Sequence, residues 1–129
     1  MESKNTIVCV DALTIRPSSN GSYDVLLITR KKEPKIGGFA FPGGHLEYNE
    51  DPEEAVLREL KEETTLVGKN LGLFTVKGKA NRDPRGHTVS IFYLVEVEKN
   101  AVPKGEDDAE TAKFYPISEM MQKKRPICF

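Results

Sequence analysis

An acidic helix that follows directly on a glycine turn constrains this chain more than any other feature. Pro42-Gly43-Gly44 favours a tight turn in which the backbone comes close to a bound group. Carboxylates then crowd the residues from 47 to 63, and some of them have helical spacing. At about 100° per residue, three lie within about 100° of one another on one side of a helix, namely Glu59, Glu62 and Glu63.

Two interpretations of this carboxylate face compete. A solvated acidic face is the ordinary explanation for a glutamate-rich helix. However, like charges at helical spacing repel one another, whereas converging hard oxygen ligands are what Mg²⁺ or Mn²⁺ requires. Arg58 is placed to pair with Glu62 one turn later and to reach back toward Glu50, which would hold carboxylates beside a cation. The pattern therefore predicts a metal site, and we expect its carboxylates to lie outside the apolar core.

Composition argues against several classes of function. A chain of 129 residues predicts one domain, 1–129, that buries roughly two-thirds of its unfolded surface. The net charge of −1 provides no global field for nucleic acid or an anionic membrane. No apolar run approaches the roughly 20 residues of a membrane span, and the first residues are not typical of a signal peptide. Neither Cys9, in an apolar run, nor Cys128 indicates a disulfide scaffold, so a cytoplasmic location is expected.

The other patterns predict strands interrupted by two helices. Asp51 is a good N-cap and Pro52 a good first residue for the acidic helix. Ser118 is suited to cap a short helix that begins with Glu119. This order predicts the α/β class, with a mixed sheet covered by helices on two faces. The predicted strands cover residues 6–13, 23–29, 71–79, 87–98 and 113–117, and the first two are rich in Val, Ile and Leu.

The spacing of the charged residues resembles the signature of the Nudix hydrolase family. The matching frame is Gly44, five residues, Glu50, seven residues, Arg58-Glu59-Leu60, one residue, and Glu62-Glu63. The single departure is Thr65, where the pattern has glycine. Glycine there would end the helix in a left-handed conformation that threonine adopts only at a cost. We therefore expect the helix to continue to about Val67.

The resemblance implies a fold, a cofactor and a set of roles. The fold is an α/β/α sandwich with a mixed sheet, and the cofactor is Mg²⁺ or Mn²⁺. The implied metal ligands are Glu59, Glu62 and Glu63, helped by a backbone carbonyl at Gly43 or Gly44. By the same comparison Arg58 orients the carboxylates, while Glu50 braces the loop against the helix. Members of the family hydrolyse a nucleoside diphosphate linked to another group.

Two parts of the chain could supply the general base. One is a glutamate of the signature itself, Glu59 or Glu62. In some relatives the base lies outside the signature, on a loop. In this chain the corresponding loop carries four acids, Glu106, Asp107, Asp108 and Glu110. Taken by itself, such a run is more typical of a solvated loop than of a catalytic one. A general base on this loop is therefore supported only by the resemblance to those relatives.

The segment 81–90 is the second informative stretch. Arg82, Arg85 and His87 flank a proline turn between two predicted strands. Guanidinium groups bind phosphates bidentately, so we expect Arg82 or Arg85 to contact the substrate, beside the turn at Gly43 and Gly44. The competing interpretation is a solvated hairpin in which Arg82 pairs with its neighbour Asp83. His87, at a strand start, is more typical of a structural residue.

Together with the signature, the segments 81–90 and 105–109 resemble the short ADP-ribose pyrophosphatase branch of the family. The implied reaction converts ADP-ribose to AMP and ribose 5-phosphate. Two other functions compete: hydrolysis of nucleoside triphosphates such as oxidised deoxynucleotides, and a sensor module that binds ADP-ribose without cleaving it. The expected partner is a small nucleotide substrate, with no nucleic acid and no membrane. Homodimers are common in this branch, and the residues leave the oligomeric state open.

Overall fold

The computed structural model describes residues 5–31, 38–106, 109–121 and 127–128, without the side chains of residues 110, 121, 127 and 128. The described residues form an eight-stranded mixed sheet and two helices. The helices are α1 (Pro52–Thr64) and α2 (Ile117–Met121). The strands are β1 (Ile7–Pro17), β2 (Tyr23–Arg30), β3 (Phe39–Ala40), β4 (Gly43–His45), β5 (Lys69–Lys77), β6 (Thr88–Glu96), β7 (Ala109–Pro116) and β8 (Ile127–Cys128).

Strands β1 and β2 pair at one end and part at the other. They are antiparallel where Ile15 faces Val25. Beyond that point β1 pairs with β4 instead, with Asp11 opposite Gly43, while β2 pairs with β3. On its other side β1 runs parallel to β6 along nine residue pairs. The glycine turn therefore enters the sheet beside its central strand, where β1 and β2 separate.

The two sides of the sheet carry separate apolar clusters, because successive strand residues point to opposite sides. On β1, Val10 and Ala12 face α1, which contributes its own buried stripe of Ala55, Val56 and Leu60. The opposite side buries Val25, Leu27, Phe41 and Phe92, and α2 packs there through Ile117 and Met120. One helix on each side of a mixed sheet confirms the predicted α/β/α architecture.

Helix α1 begins where expected and ends earlier than expected. Asp51 is its N-cap, although its side chain makes no capping hydrogen bond, and Pro52 opens the first turn. At the other end Thr65 itself adopts the left-handed conformation, with φ 67° and ψ 0°, and its N–H donates to the Lys61 carbonyl. The expected continuation to Val67 is therefore wrong.

Contacts at the end of the helix and from a later segment of the chain stabilise this early end. The Thr64 hydroxyl donates to the Leu60 carbonyl at 2.6 Å and accepts the N–H of Leu66 at 3.3 Å. The backbone N–H groups of Lys104 and Glu106 donate to the carbonyls of Thr64 and Glu63 at 3.0 and 2.8 Å. Carbonyls that a longer helix would have satisfied internally are thus satisfied by another segment of the chain.

The predicted strands are confirmed, with shifts at their ends. Strand β1 extends to Pro17 and β7 begins earlier, at Ala109. Helix α2 begins at Ile117, so Ser118 lies inside it and the predicted cap is wrong. Cys9 is buried, as expected for a core residue. No helix among the described residues is long and apolar enough to span a membrane.

Candidate active site

Arg58 is the centre of a carboxylate network beside the glycine turn. Its Nε and Nη2 donate to the two oxygens of Glu50 at 2.6 and 3.0 Å. Its Nη1 donates to Glu59 Oε1 at 2.9 Å and to Glu62 Oε2 at 2.9 Å. The predicted pairing of Arg58 with Glu50 and Glu62 is confirmed. One guanidinium therefore holds three signature carboxylates in place through charge-assisted hydrogen bonds.

The electrostatics of the network follow from these contacts. The hydrogen bond to Glu50 is the main cause that raises the pKa of Arg58, and the same bond lowers the pKa of Glu50. Glu59 behaves differently, because burial raises its pKa more than the adjacent Arg58 lowers it. Glu59 is thus a carboxylate whose charged form would gain from a nearby cation.

Strand β4 has no room for a side chain at either of its two glycines, and one of them leaves space for a carboxylate of the network. A Cβ on Gly44 would lie 2.7 Å from the carboxyl carbon of Glu59. A Cβ on Gly43 would lie 2.2 Å from the Val10 carbonyl oxygen, so no side chain fits there. The N–H of Gly43 also donates to Glu63 Oε1 at 2.7 Å. The glycine turn and the acidic helix are therefore in direct contact.

The three predicted metal ligands differ in their surroundings. The Glu62 side chain is 45% exposed and that of Glu59 is 15% exposed. Glu63 is buried against β4, so the expectation that all three carboxylates lie outside the core is wrong for this residue. It is buried because its position in α1 faces the backbone of Gly43, which supplies the hydrogen bond that a buried carboxylate requires.

The predicted ligands offer oxygen donors, the kind of atom that a hard divalent cation prefers. Glu59, Glu62 and Glu63 are carboxylates, and the Glu59 carboxylate occupies the space that a side chain at Gly44 would need. Among the described residues no group of three or more acidic, histidine or cysteine side chains converges closely enough to hold an ion as it stands. Arg58 holds Glu59 and Glu62, and Gly43 holds Glu63.

The loop before β7 lies against the end of α1. The Glu106 N–H donates to the Glu63 carbonyl, and the Ala109 N–H donates back to the Glu106 carbonyl at 2.9 Å. Ala109 is fully buried against Ile28 and Ala40. The backbone of Glu106 is therefore adjacent to a predicted metal ligand. Asp107 and Asp108 lie outside the described residues, as does the side chain of Glu110.

The two predicted substrate arginines are held in different ways. Arg82 Nη2 donates to the carbonyls of Lys77 and Thr88 and to Ser90 Oγ, at 3.1–3.2 Å. Arg85 instead pairs with Asp83, with Nη2 2.7 Å from Oδ2. This hydrogen bond is the main cause that lowers the pKa of Asp83 to about 2. The pairing that the solvated-hairpin interpretation expected between Arg82 and Asp83 is made by Arg85.

Asp11 lies beside the glycine turn, although the sequence analysis did not single it out. It lies in β1 opposite Gly43, and a Cβ on that glycine would come 2.7 Å from Asp11 Oδ1. Burial raises the pKa of Asp11 to about 7, opposed by Arg82 and by a hydrogen bond from Ser90. A charge of Glu59 raises it further. The available signal was a lone aspartate in the apolar run from Ile7 to Leu13, where a carboxylate requires a reason.

Comparison with known proteins identifies relatives over most of the chain. The NUDIX domain family model matches residues 6–127. An ADP-ribose pyrophosphatase from Methanocaldococcus jannaschii is 45% identical over 96 residues, which cover 74% of this chain and 56% of that protein. An 8-oxo-dGTP diphosphatase from Proteus vulgaris is 40% identical over 79 residues, covering 60% of this chain and 68% of that protein. The chain thus spans little more than half the length of the archaeal relative.

Solved structures show the same fold. The NUDIX domain of Shewanella oneidensis NrtR, complexed with ADP ribose, has a TM-score of 0.84 at 27% identity, covering 98% of this chain and 82% of that one. A bifunctional NMN adenylyltransferase/ADP ribose pyrophosphatase from Francisella tularensis, complexed with AMP and Mn ion, has a TM-score of 0.80 at 28% identity, covering 95% of this chain and 37% of that one. The family match and the Arg58 network agree: the chain belongs to the Nudix family.

Proposed function

We propose that the chain is a metal-dependent pyrophosphohydrolase that cleaves ADP-ribose to AMP and ribose 5-phosphate. The observation that carries this proposal is the binding of Glu50, Glu59 and Glu62 by the single guanidinium of Arg58, beside a glycine turn with no room for side chains. The ADP-ribose pyrophosphatase from M. jannaschii, 45% identical over 96 residues, supports the choice of substrate.

The proposed metal ligands are Glu59, Glu62 and Glu63 with the carbonyl of Gly44, and the ion is Mg²⁺ or Mn²⁺. Such an ion neutralises charge on a leaving phosphate and acidifies water. The protein contributes position: Arg58 orients two of the ligands, and Gly44 leaves space for Glu59. Glu63 also fixes the glycine turn through the Gly43 N–H.

Two places remain as proposals for the general base. Glu59 and Glu62 lie in the network, but a carboxylate that binds a cation is a poorer proton acceptor. The backbone of Glu106 lies beside Glu63, which supports a base on this loop, among Glu106, Asp107, Asp108 and Glu110. We expect neutral substitution of the base to lower kcat about 100-fold or more. Near-normal kcat at all four loop positions would return the role to Glu59 or Glu62.

Arg82 and Arg85 are the proposed substrate contacts outside the signature. Replacement of the contacting arginine by alanine should raise KM far more than it lowers kcat, if the contact is equally strong in the ground and transition states. Loss of a charge-assisted hydrogen bond corresponds to roughly 10- to 150-fold in affinity. Normal binding and cleavage in both variants would leave the loop as a structural hairpin.

The decisive experiment is a product analysis. The protein is incubated with Mg²⁺ and, separately, with ADP-ribose, NADH, a diadenosine polyphosphate or 8-oxo-dGTP, and the products are identified. We expect AMP and ribose 5-phosphate as the preferred products and no turnover in excess chelator. Glu59→Gln is the matched inactive control, because it preserves shape and removes one ligand charge. Preferred turnover of 8-oxo-dGTP, or full activity in chelator, would contradict the proposal.

Two alternatives have specific support. The P. vulgaris 8-oxo-dGTP diphosphatase, 40% identical over 79 residues, supports a nucleoside triphosphate substrate. The likeness to the NrtR domain complexed with ADP ribose supports a sensor that binds without cleaving. Tight binding of ADP-ribose without products would favour the sensor. A homodimer and a cytoplasmic location remain predictions, to be measured by light scattering and by fractionation.

A further inference from the structure

One buried polar atom on the side of the sheet opposite α1 lacks the partner that buried polar groups normally have. Arg82 Nε is buried and has no hydrogen-bond partner among the described residues. The Asp11 carboxylate, on the same side of the sheet, accepts a hydrogen bond from Ser90 and makes no ion pair within the described part of the chain. Because nearly all buried polar groups are satisfied in native proteins, the unpaired nitrogen indicates a missing ligand beside it.

Ser90 connects the two groups. Its Oγ accepts a hydrogen bond from Arg82 Nη2 at 3.1 Å, and its hydroxyl donates toward Asp11. Ser90 is itself buried on β6, next to β1. Thr88 and Lys77 hold the same Arg82 nitrogen through their carbonyls. The carboxylate and the guanidinium are therefore held at fixed places on either side of one buried hydroxyl, without contacting each other directly.

The charges of this pair select the chemistry of the ligand. A phosphate would be repelled by Asp11, and a cation would be repelled by Arg82. A neutral group that both donates and accepts hydrogen bonds matches both sides. Two neighbouring hydroxyls satisfy this condition, because one donates to the carboxylate while the other accepts from the guanidinium. Carboxylates bind ribose hydroxyls in the same way in other nucleotide sites.

The position relative to the glycine turn limits where those hydroxyls come from. A Cβ on Gly43 would lie 2.7 Å from Asp11 Oδ1, and Asp11 pairs with Gly43 across β1 and β4. Gly43 itself donates to Glu63. A group between Asp11 and Arg82 is therefore a near neighbour of a diphosphate at the acidic network. A ribose attached directly to that diphosphate meets this condition.

We propose that Asp11 is a specificity-determining residue that binds the hydroxyls of a ribose next to the diphosphate, with Arg82 as its second contact. This inference rests on the proposed function, since it presupposes a diphosphate at the Arg58 network. It predicts selectivity for hydroxylated sugars. The two riboses that flank the diphosphate of ADP-ribose share this chemistry, and experiment distinguishes them.

The test uses calorimetry with Mg²⁺ and the non-hydrolysable α,β-methylene analogue of ADP-ribose. Asp11→Asn should weaken binding about 10- to 150-fold, the range for losing a hydrogen bond to a charged group. Asp24→Asn is the matched control, because Asp24 pairs with Arg16 on another strand, and it should bind as the wild type does. Unchanged affinity in Asp11→Asn would overturn the proposal.

A second measurement changes the ligand and does not depend on how the variant folds. The wild type is tested with two analogues, one without the terminal ribose and one lacking the adenosine 2′-hydroxyl. One of them should bind about 10- to 150-fold more weakly than the intact analogue, and this weaker ligand identifies the ribose. The Asp11→Asn variant should show no further loss with that analogue, because the two changes remove one interaction. Equal wild-type affinity for all analogues would overturn the subsite. Absence of turnover with normal analogue binding would instead overturn only the proposed hydrolysis.

Discussion

The carboxylate of Glu59 occupies the space that a side chain at Gly44 would need. An ideal Cβ on Gly44 would lie 2.7 Å from the carboxyl carbon and 2.7 and 2.8 Å from the two carboxylate oxygens. The glycine belongs to β4 and the glutamate to α1, so the contact joins the sheet to the helix. The first glycine of the signature and its first proposed metal ligand on α1 therefore compete for the same space, so a side chain at one would displace the other.

Gly44→Ala should displace the Glu59 carboxylate and lower kcat/KM for ADP-ribose by about 100-fold, the scale of loss for a misplacement of about 1 Å. Gly78→Ala is the matched control, because its Cβ would meet Val89 only at an ordinary 3.4 Å. Steady-state kinetics of both variants check the prediction. Wild-type kinetics in Gly44→Ala would show that activity does not depend on the position of the Glu59 carboxylate.

Glu50→Gln should weaken the orientation of Arg58. The Glu50 carboxylate accepts hydrogen bonds from both Nε and Nη2 of Arg58, whereas a glutamine amide has a single acceptor oxygen and no charge. We expect the Mg²⁺ concentration that gives half-maximal activity to rise roughly 10- to 100-fold, as for other groups that orient metal ligands. Activity is titrated against Mg²⁺. Glu54→Gln, an exposed first-turn glutamate, is the control. The prediction fails if the two titrations coincide.

Glu63 combines a charge with a structural hydrogen bond, and two substitutions separate them. Glu63→Gln keeps an acceptor for the Gly43 N–H, so we expect a kcat lower by orders of magnitude and a nearly unchanged melting temperature. Glu63→Ala removes the acceptor, which costs roughly 1–3 kcal/mol more. Thermal melts beside kinetics check both. Equal melting temperatures in the two variants would contradict the role of the buried bond.

Thr65→Gly should stabilise the protein. Thr65 ends α1 at φ 67°, a conformation that costs an L-residue roughly 1–2 kcal/mol. Glycine adopts it freely but loses about 0.5–1 kcal/mol of backbone entropy, so the net gain is up to about 1.5 kcal/mol. Thr65→Ala retains the steric cost and should show no gain. Chemical denaturation measures both, and destabilisation by glycine would contradict the prediction.

The pair of Asp83 and Arg85 should make stability depend on pH at acid pH. Its hydrogen bond lowers the pKa of Asp83 from 3.8 to about 2, so the stabilisation is present above about pH 4 and is lost as pH falls through about 2. Asp83→Asn should therefore lower the melting temperature at pH 7, and the difference from wild type should shrink between pH 4 and pH 2. A difference that stays constant over this range would exclude the charge as its cause.

Local spacing was enough to predict the centre of the site. Arg58 and Glu62 are one helical turn apart, so their contact depends only on the helix that both occupy. The α/β class was also predictable, because strand and helix periodicities are local properties. The end of α1 was not. Thr65 adopts its conformation because a segment about forty residues later, Lys104 and Glu106, binds the last carbonyls of the helix.

Contacts between distant segments likewise decided what surrounds each carboxylate. By sequence alone Glu63 was one more charge on an acidic face, but β4, which pairs with β1 where β1 and β2 separate, buries it against Gly43. Asp11 was one polar residue in an apolar strand until the pairing of β1 with β4 and β6 placed it between Gly43 and Ser90. Sequence determined which residues share a helix face, because that geometry repeats every turn. Only the tertiary structure decided which of them are buried and paired, since burial depends on strands brought together from distant parts of the chain.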